Sequence, residues 1–171
     1  LGGVNGPCRE AIAAVEAVGG TVSLYRLTAL EGTHAFACYI RQPDMPQVFG
    51  GSGSHLRRQA AVDRAVLEAV QSRLSVISGL REDIPPWMYD RLTAGAPPRK
   101  AQAQGQAWPE PAPEPSGSID LAIASLVGTI HRHTGQAVPM VELQRGTDCF
   151  PPVVQIFAPG MQPSPEMKVP G

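Results

Sequence analysis

The chain has 171 residues, enough for one domain with a sizeable core. Its formal charge of -1 and pI near 6.5 argue against a nucleic-acid-binding surface. Although 43% of the residues are hydrophobic, no apolar run reaches the roughly eighteen residues that a membrane-crossing helix needs, so no membrane span is expected.

The opening LGGVNG has no Met, no basic stretch and no apolar leader, which points to the absence of a signal peptide and to a piece of a longer protein. Cys8, Cys38 and Cys149 stand at no CxxC spacing and are odd in number. They read as small core residues in a reducing compartment, and a cytoplasmic protein is expected. His131 and His133 would lie about 200° apart on a helix and cannot clamp one ion together, so no metal site is expected of them.

Residues 7–18 (PCREAIAAVEAV) have the pattern of a short amphipathic helix, with Pro7 in its first turn and Gly19-Gly20 ending it. Thr21 to Leu27 alternates and is rich in β-formers, which predicts a strand. A turn over Glu31 to His34 leads to a second strand, Ala35 to Arg41, antiparallel to the first. A loop from Pro43 to Pro46 then enters a Gly-rich turn containing Gly50, Gly51 and Gly53.

From residue 57 to 78 the chain is proline-free and rich in Ala, Val, Leu, Glu, Gln and Arg, and Gly79 supplies a stop: a long helix. At about 100° per residue, Val62, Val66, Ala69, Val70, Val76 and Ile77 share a broad apolar arc, with Ala65, Leu67 and Leu74 at its edges. This helix is expected to be mostly buried. Opposite the arc runs a polar stripe of Arg64, Glu68, Gln71 and Ser75. Arg73 points into the apolar arc, where its guanidinium needs a carboxylate, a carbonyl or a ligand anion, or else must reach out to solvent. On pattern alone, Arg64 and Glu68 read as an ordinary surface pair. The glycines before the helix would permit close backbone approach to a phosphate at its N-terminus, although GGSG is neither a Walker A sequence nor GxGxxG.

Ile84 to Leu92, with Trp87, Met88 and Tyr89, suggests a short packed helix or an anchored loop. Residues 94–117 turn to Pro, Ala, Gln, Glu and Gly, the composition of a linker or insertion, with Trp108 its large apolar residue. Ser118 is a candidate N-cap for a helix carrying Ile119, Ile123, Leu126, Val127 and Ile130 and ending near Gly135. Strands are expected at Val138 to Leu143 and Val153 to Ala158, around a turn from Gln144 to Pro151. The architecture expected is an α+β fold: one mixed sheet with pseudo-repeated αββ units around the long central helix. Residues 1–93 would form the first αββ unit with the long helix, 94–117 the insertion, 118–160 the second unit of the same domain and 161–171 an irregular tail.

Three stretches carry a resemblance to a known family. G-S-G-S-H-L (51–56), A-A-V-D-R-A-V-L-E-A-V-Q-S-R-L (60–74) and I-S-G-L-R-E-D-I (77–84) resemble the second conserved helix region of YcaO proteins, in the flavour of their TfuA-associated branch. Residues 152–160, PVVQIFAPG, are similar to a strand near the end of those proteins, and residues 28–36, TALEGTHAF, to a turn between two of their strands. The resemblance implies binding of ATP and Mg2+ and their use to activate a peptide backbone amide, giving thioamides or azolines. A nucleophile adds to the amide carbonyl, the oxygen is phosphorylated, and phosphate leaves. Such a site depends on placing phosphates and compensating their charge.

Carried over by position, the resemblance marks Arg64, Glu68, Gln71 and Arg73, with Gly51, Gly53 and His55 of the preceding turn, as cofactor-binding. Arg64 would face phosphate or support a carboxylate, Glu68 and Gln71 would face the nucleotide or a peptide, and Arg73 would order the inner shell. The family's main Mg2+-nucleotide helix, an Asn followed by spaced glutamates and a closing Glu-Arg pair, finds no counterpart; Glu10 and Glu16 lack both the Asn and the pair. The chain is therefore expected to cover the C-terminal portion of a YcaO domain and to be weak or inactive alone. The P-x-P-x-P ending of azoline-forming members is also missing, which favours thioamide formation or another amide modification, assisted by a TfuA-type protein. Expected partners are a peptide substrate, a TfuA-type protein and a homo-oligomer, with neither nucleic acid nor membrane. The competing reading is a non-catalytic peptide-binding or structural module derived from the same fold.

Overall fold

The computed structural model describes residues 6–43, 45–79, 117–147 and 150–161, and they fall into two compact units. The first runs α1 (Pro7–Ala17), β1 (Thr21–Leu27), β2 (His34–Gln42), β3 (Met45–His55), α2 (Arg58–Ile77). Pro7 lies in the first turn of α1, where a missing N–H costs nothing, and Gly19 just past its end takes a φ of 79°. The three strands form an antiparallel sheet in the order β1-β2-β3.

Being central, β2 is buried on both faces. Phe36, Cys38 and Ile40 join Phe49 of β3, Cys8, Ile12 and Val15 of α1 and the small residues of α2 in one apolar cluster. Ala37 and Tyr39 point the other way, where the Tyr39 ring meets Tyr25 edge-on at 5.8 Å. Truncating Phe36 or Phe49, both essentially inaccessible, would cost about 3–5 kcal/mol through lost contacts and cavity formation.

Two expectations for this unit are corrected. The Gly-rich stretch is not a turn: from Met45 to His55 it is the third strand, with Gly51 opposite Cys38 and Gly53 opposite Phe36. Glycine weakens a strand, which hides this one from a reading of β-propensity. Secondly, α2 is buried only over its first half, at Ala61, Val62, Ala65, Val66 and Ala69. Ile77, assigned to the buried arc, is 48% exposed, and Leu67 and Leu74 are 49% and 56% exposed. Past Ala69 no residue of the helix is fully covered.

The second unit consists of α3 (Ile119–Thr134) and the antiparallel hairpin β4 (Met140–Gln144), β5 (Val153–Ile156). Ser118 caps α3 by accepting from Leu121 N–H at 3.4 Å, and Gly135 closes it with a φ of 69°. Within α3 only Thr129 is buried, while Ile119 and Ile123 remain 75% and 53% exposed.

The fold is α+β, as expected, and an αββ order occurs in each unit. A mixed sheet is not found among the described residues: both sheets are antiparallel throughout. The expected segment at residues 84–92, the insertion apart from Gly117, Trp108, Cys149 and the tail beyond residue 161 lie outside the described residues.

Candidate functional site

The site expected from the sequence centres on where β3 meets α2. Alanines at positions 61, 65 and 69 present a nearly side-chain-free ridge, and Gly51 and Gly53 lie directly against it. A Cβ at Gly53 would run into the carbonyl of Ala61 and come within 2.7 Å of Ala65 N; one at Gly51 would collide with the backbone of Ala65 and Ala69 and come within 2.9 Å of the Glu68 carbonyl carbon. The close approach that these glycines permit is therefore that of helix backbone to strand backbone. It brings Arg64 and Glu68 beside β3, since the Arg64 Cβ lies 2.9 Å from where a Gly53 Cβ would stand.

Ser52, between the two glycines, donates its backbone N–H to Glu68 Oε2 at 2.8 Å and directs its Oγ to the same oxygen at 3.4 Å. Because β3 is at the edge of the sheet formed by the described residues, that N–H has no strand partner among them. Glu68 is thus exposed but anchored, with a charge-assisted hydrogen bond in place of the expected surface pair to Arg64. Arg64 is exposed and makes no ion pair with a described residue. Gln71 continues the exposed stripe, and its carbonyl accepts from Ser75 Oγ at 2.9 Å.

His55 closes β3 and serves the start of α2. Its Nδ1 accepts from Arg57 N–H at 2.9 Å, which satisfies a donor just ahead of the helix and places a neutral ring's proton on Nε2. Arg73 is separated from the Glu68 group. Five residues on at about 100° each put it roughly 140° around the helix from Glu68, on the other flank of the buried arc. There its Nε donates to Gln42 Oε1 at 2.5 Å, and Gln42 is only 8% exposed. The carbonyl that a guanidinium in the apolar arc requires is supplied from the end of β2.

The structure therefore groups Gly51, Gly53, Arg64 and Glu68, extends the group along Gln71, sets His55 at the helix entrance and leaves Arg73 elsewhere. Ser52 and Gln42 were missed. Nothing local marks a serine between glycines or a glutamine ending a strand; strand register decides what each of them reaches.

The described residues do not make a Mg2+ site by themselves. No three His, Cys, Asp or Glu side chains converge among them, and Glu68, one oxygen already engaged, is the sole carboxylate of the stripe. Mg2+ usually takes one or two carboxylates together with phosphate oxygens and waters, so Glu68 could offer it one ligand. The Arg64 guanidinium, unpaired among the described residues, fits a phosphate oxygen better. Cys8 and Cys38 are not candidate nucleophiles: burial pushes both thiols up to about 12, with Asp63 reinforcing the effect at Cys8.

Residues 4–162 match the family described as YcaO cyclodehydratase, ATP- and Mg2+-binding. An uncharacterized protein of Mycobacterium tuberculosis is 32% identical over 148 residues, covering 84% of this chain and 34% of that protein. The chain thus spans about a third of the length of this relative. Among solved structures, YcaO from Methanopyrus kandleri bound with AMPPCP and Mg2+ superposes with a TM-score of 0.60 at 22% identity, over 91% of this chain and 43% of that one. A heterocyclase in complex with substrate and cofactor gives 0.68 at 21% identity, over 95% and 23%. The fold is shared with both, and the chain belongs to the YcaO family.

Proposed function

We propose that this chain forms part of a YcaO-type enzyme that uses ATP and Mg2+ to activate a peptide backbone amide, with the Glu68 flank of α2 facing nucleotide and peptide. The observation that carries this reading is the exposed Glu68 carboxylate, held in place by Ser52 on the same helix as an exposed Arg64 that makes no ion pair with a described residue. A site of this kind works by placing charged groups, and these two are preorganised or free to bind. Arg64 takes phosphate oxygens, Glu68 and Gln71 face the nucleotide or the peptide amide, and Arg73, steadied by Gln42, orders the opposite flank.

ATP bound with Mg2+ would supply the phosphoryl group that makes the amide oxygen a leaving group; the residues above would bind and orient. With Glu68 alone to offer a carboxylate on the stripe, the remaining ligands come from outside the described residues; by its resemblance the chain corresponds to the C-terminal portion of the domain and is weak or inactive alone. The wording of residues 51–84 supports the TfuA-associated branch and a TfuA-type partner, and the product would be a thioamide or an azoline. Among the described residues no helix is long and apolar enough to cross a membrane, and the buried free thiols suit a cytoplasmic protein.

The lone carboxylate also favours a second reading, a non-catalytic peptide-binding module that keeps this fold. Calorimetric titration of the full chain with ATP and MgCl2 separates the two. Saturable heat, weakened at least ten-fold by Arg64→Ala and by Glu68→Gln, supports the enzyme reading. No heat even when the rest of a whole YcaO protein is supplied alongside, or binding indifferent to both substitutions, removes it.

A further inference from the structure

We propose that the outer edge of β3 is a docking edge for an extended peptide, which adds to the sheet as a fourth strand across Gly50, Ser52 and Ser54. That the occupant is a peptide rests on the functional reading above. The edge itself rests on the fold. Among the described residues β3 has β2 on one side and no strand on the other, so it ends their sheet. Ser52 N–H goes to Glu68 rather than to β2, which establishes that the backbone groups of Ser52 point outward. Since strand groups alternate, the N–H and C=O of Gly50 and Ser54 point the same way, while Gly51 and Gly53 are turned toward β2.

Gly50, Ser52 and Ser54 are all exposed. Long edges of this type are ordinarily blunted by lysines, prolines or bulges. Residues 50–54 contain only glycine and serine, and the register shift in this pairing lies at the far end, between Arg41 and Gln42. Among the described residues the guard of this stretch is Glu68. Its Oε2, 2.8 Å from Ser52 N, stands where the carbonyl of an added strand would, because a ladder N–H···O bond has the same length of about 2.9 Å. The carboxylate acts as a place-holder. When a peptide carbonyl takes the N–H, Glu68 swings off and lies beside the peptide backbone, on the flank shared with Arg64. Recognition through main-chain groups makes the edge tolerant of side chains and intolerant of a peptide whose N–H groups are blocked.

The test uses the full chain without nucleotide and the blocked peptide acetyl-Lys-Thr-Val-Thr-Val-Lys-amide, followed by amide hydrogen exchange read residue by residue with NMR. Saturable binding should slow exchange at least ten-fold at Gly50 and Ser54 and leave Gly51 and Gly53, already turned to β2, unchanged. Glu68→Ala removes the competing acceptor and should tighten binding about ten-fold, the worth of one hydrogen bond to a charged group. Ser52→Pro removes the central donor at an edge position that tolerates proline and should abolish binding; the Glu68→Ala arm stands should that variant fail to fold. The proposal is overturned if Gly50 and Ser54 gain no protection, if the peptide with alternate N-methylated amides binds equally well, or if Glu68→Ala binds no more tightly. Protection that grows with protein concentration in the absence of peptide would instead assign the edge to a second copy of the chain. Peptide pairing without any ATP binding, even when the rest of a whole YcaO protein is supplied, would leave the docking edge standing and remove the nucleotide reading, and ATP binding without pairing would do the reverse.

Discussion

Replacing Gly53 by Ala tests the contact on which the site is built. The residue has ordinary extended backbone, so the added methyl brings no conformational penalty of its own; the cost is steric. The new Cβ would stand 2.7 Å from Ala65 N and still closer to the Ala61 carbonyl, both backbone atoms of α2 that no rotamer change can move aside. To reach ordinary van der Waals distance the helix must retreat by roughly 0.7 Å or more, loosening its packing on Phe36 and Phe49 and stretching the bond from Ser52 to Glu68. Overpacking of this kind costs about 1–3 kcal/mol, and the weakened charge-assisted hydrogen bond adds about 1 kcal/mol. At about 2–4 °C per kcal/mol for a chain of this size, thermal melting should fall by roughly 4–16 °C. Gly50→Ala is the control. Its Cβ would meet the Tyr39 ring at 3.5 Å, an ordinary contact, and the melt should move by no more than about 2 °C. Equal melting of Gly53→Ala and the parent protein, or a larger loss in Gly50→Ala, would refute the helix-to-strand contact as described.

Gln42→Leu strands the Arg73 guanidinium beside the core and should cost about 1.5–3 kcal/mol in urea unfolding, whereas adding Arg73→Met should return much of that loss. Because burial pushes the Cys8 and Cys38 thiols up to about 12 in the folded chain, the unfolded chain, with thiols near roughly 8.5–9, releases their protons first as alkali is added. Stability should be unaffected by these thiols below about pH 8.5 and should fall as pH rises from there toward 12. Substituting both by Ala should flatten that decline in a pH series of denaturant melts, and a decline unchanged by the substitutions would count against the burial argument. Ser118→Ala removes the cap on α3 and should cost about 1 kcal/mol, with loss of protection confined to the first turn in amide exchange. A loss spread evenly over α3 would contradict a local cap.

Much of the local structure was legible from residue order. Pro7 with Gly19, Ser118 with Gly135 and the proline-free run after His55 mark helix ends through capping and φ preferences, which depend on a few neighbours. The alternation of residues 21–27 and 35–41 marks strands for a similar reason. The charged stripe of α2 could be placed on one face because helical periodicity alone assigns faces. The family was legible too, from residues 51–84 and 152–160, and the match over residues 4–162 bears it out.

What tertiary structure decided begins at β3. A glycine run has the composition of a turn, and it becomes a strand here because hydrogen bonds to β2 and the alanine ridge of α2 reward a backbone without side chains. The partners of Glu68 and Arg73 were likewise beyond local reading: Ser52 lies 16 residues away and Gln42 lies 31 away, and they arrive only through strand register and the angle at which the helix crosses the sheet. Periodicity could say which residues share a face of α2, but not how far along the helix the sheet extends, so Ile77 was assigned to a core that ends near Ala69. Sequence alone determined the elements, their caps and the kinship, because these follow from neighbours and spacing. Three-dimensional packing determined which carboxylate is held, by which donor and at which open edge, because those contacts exist only once distant segments meet.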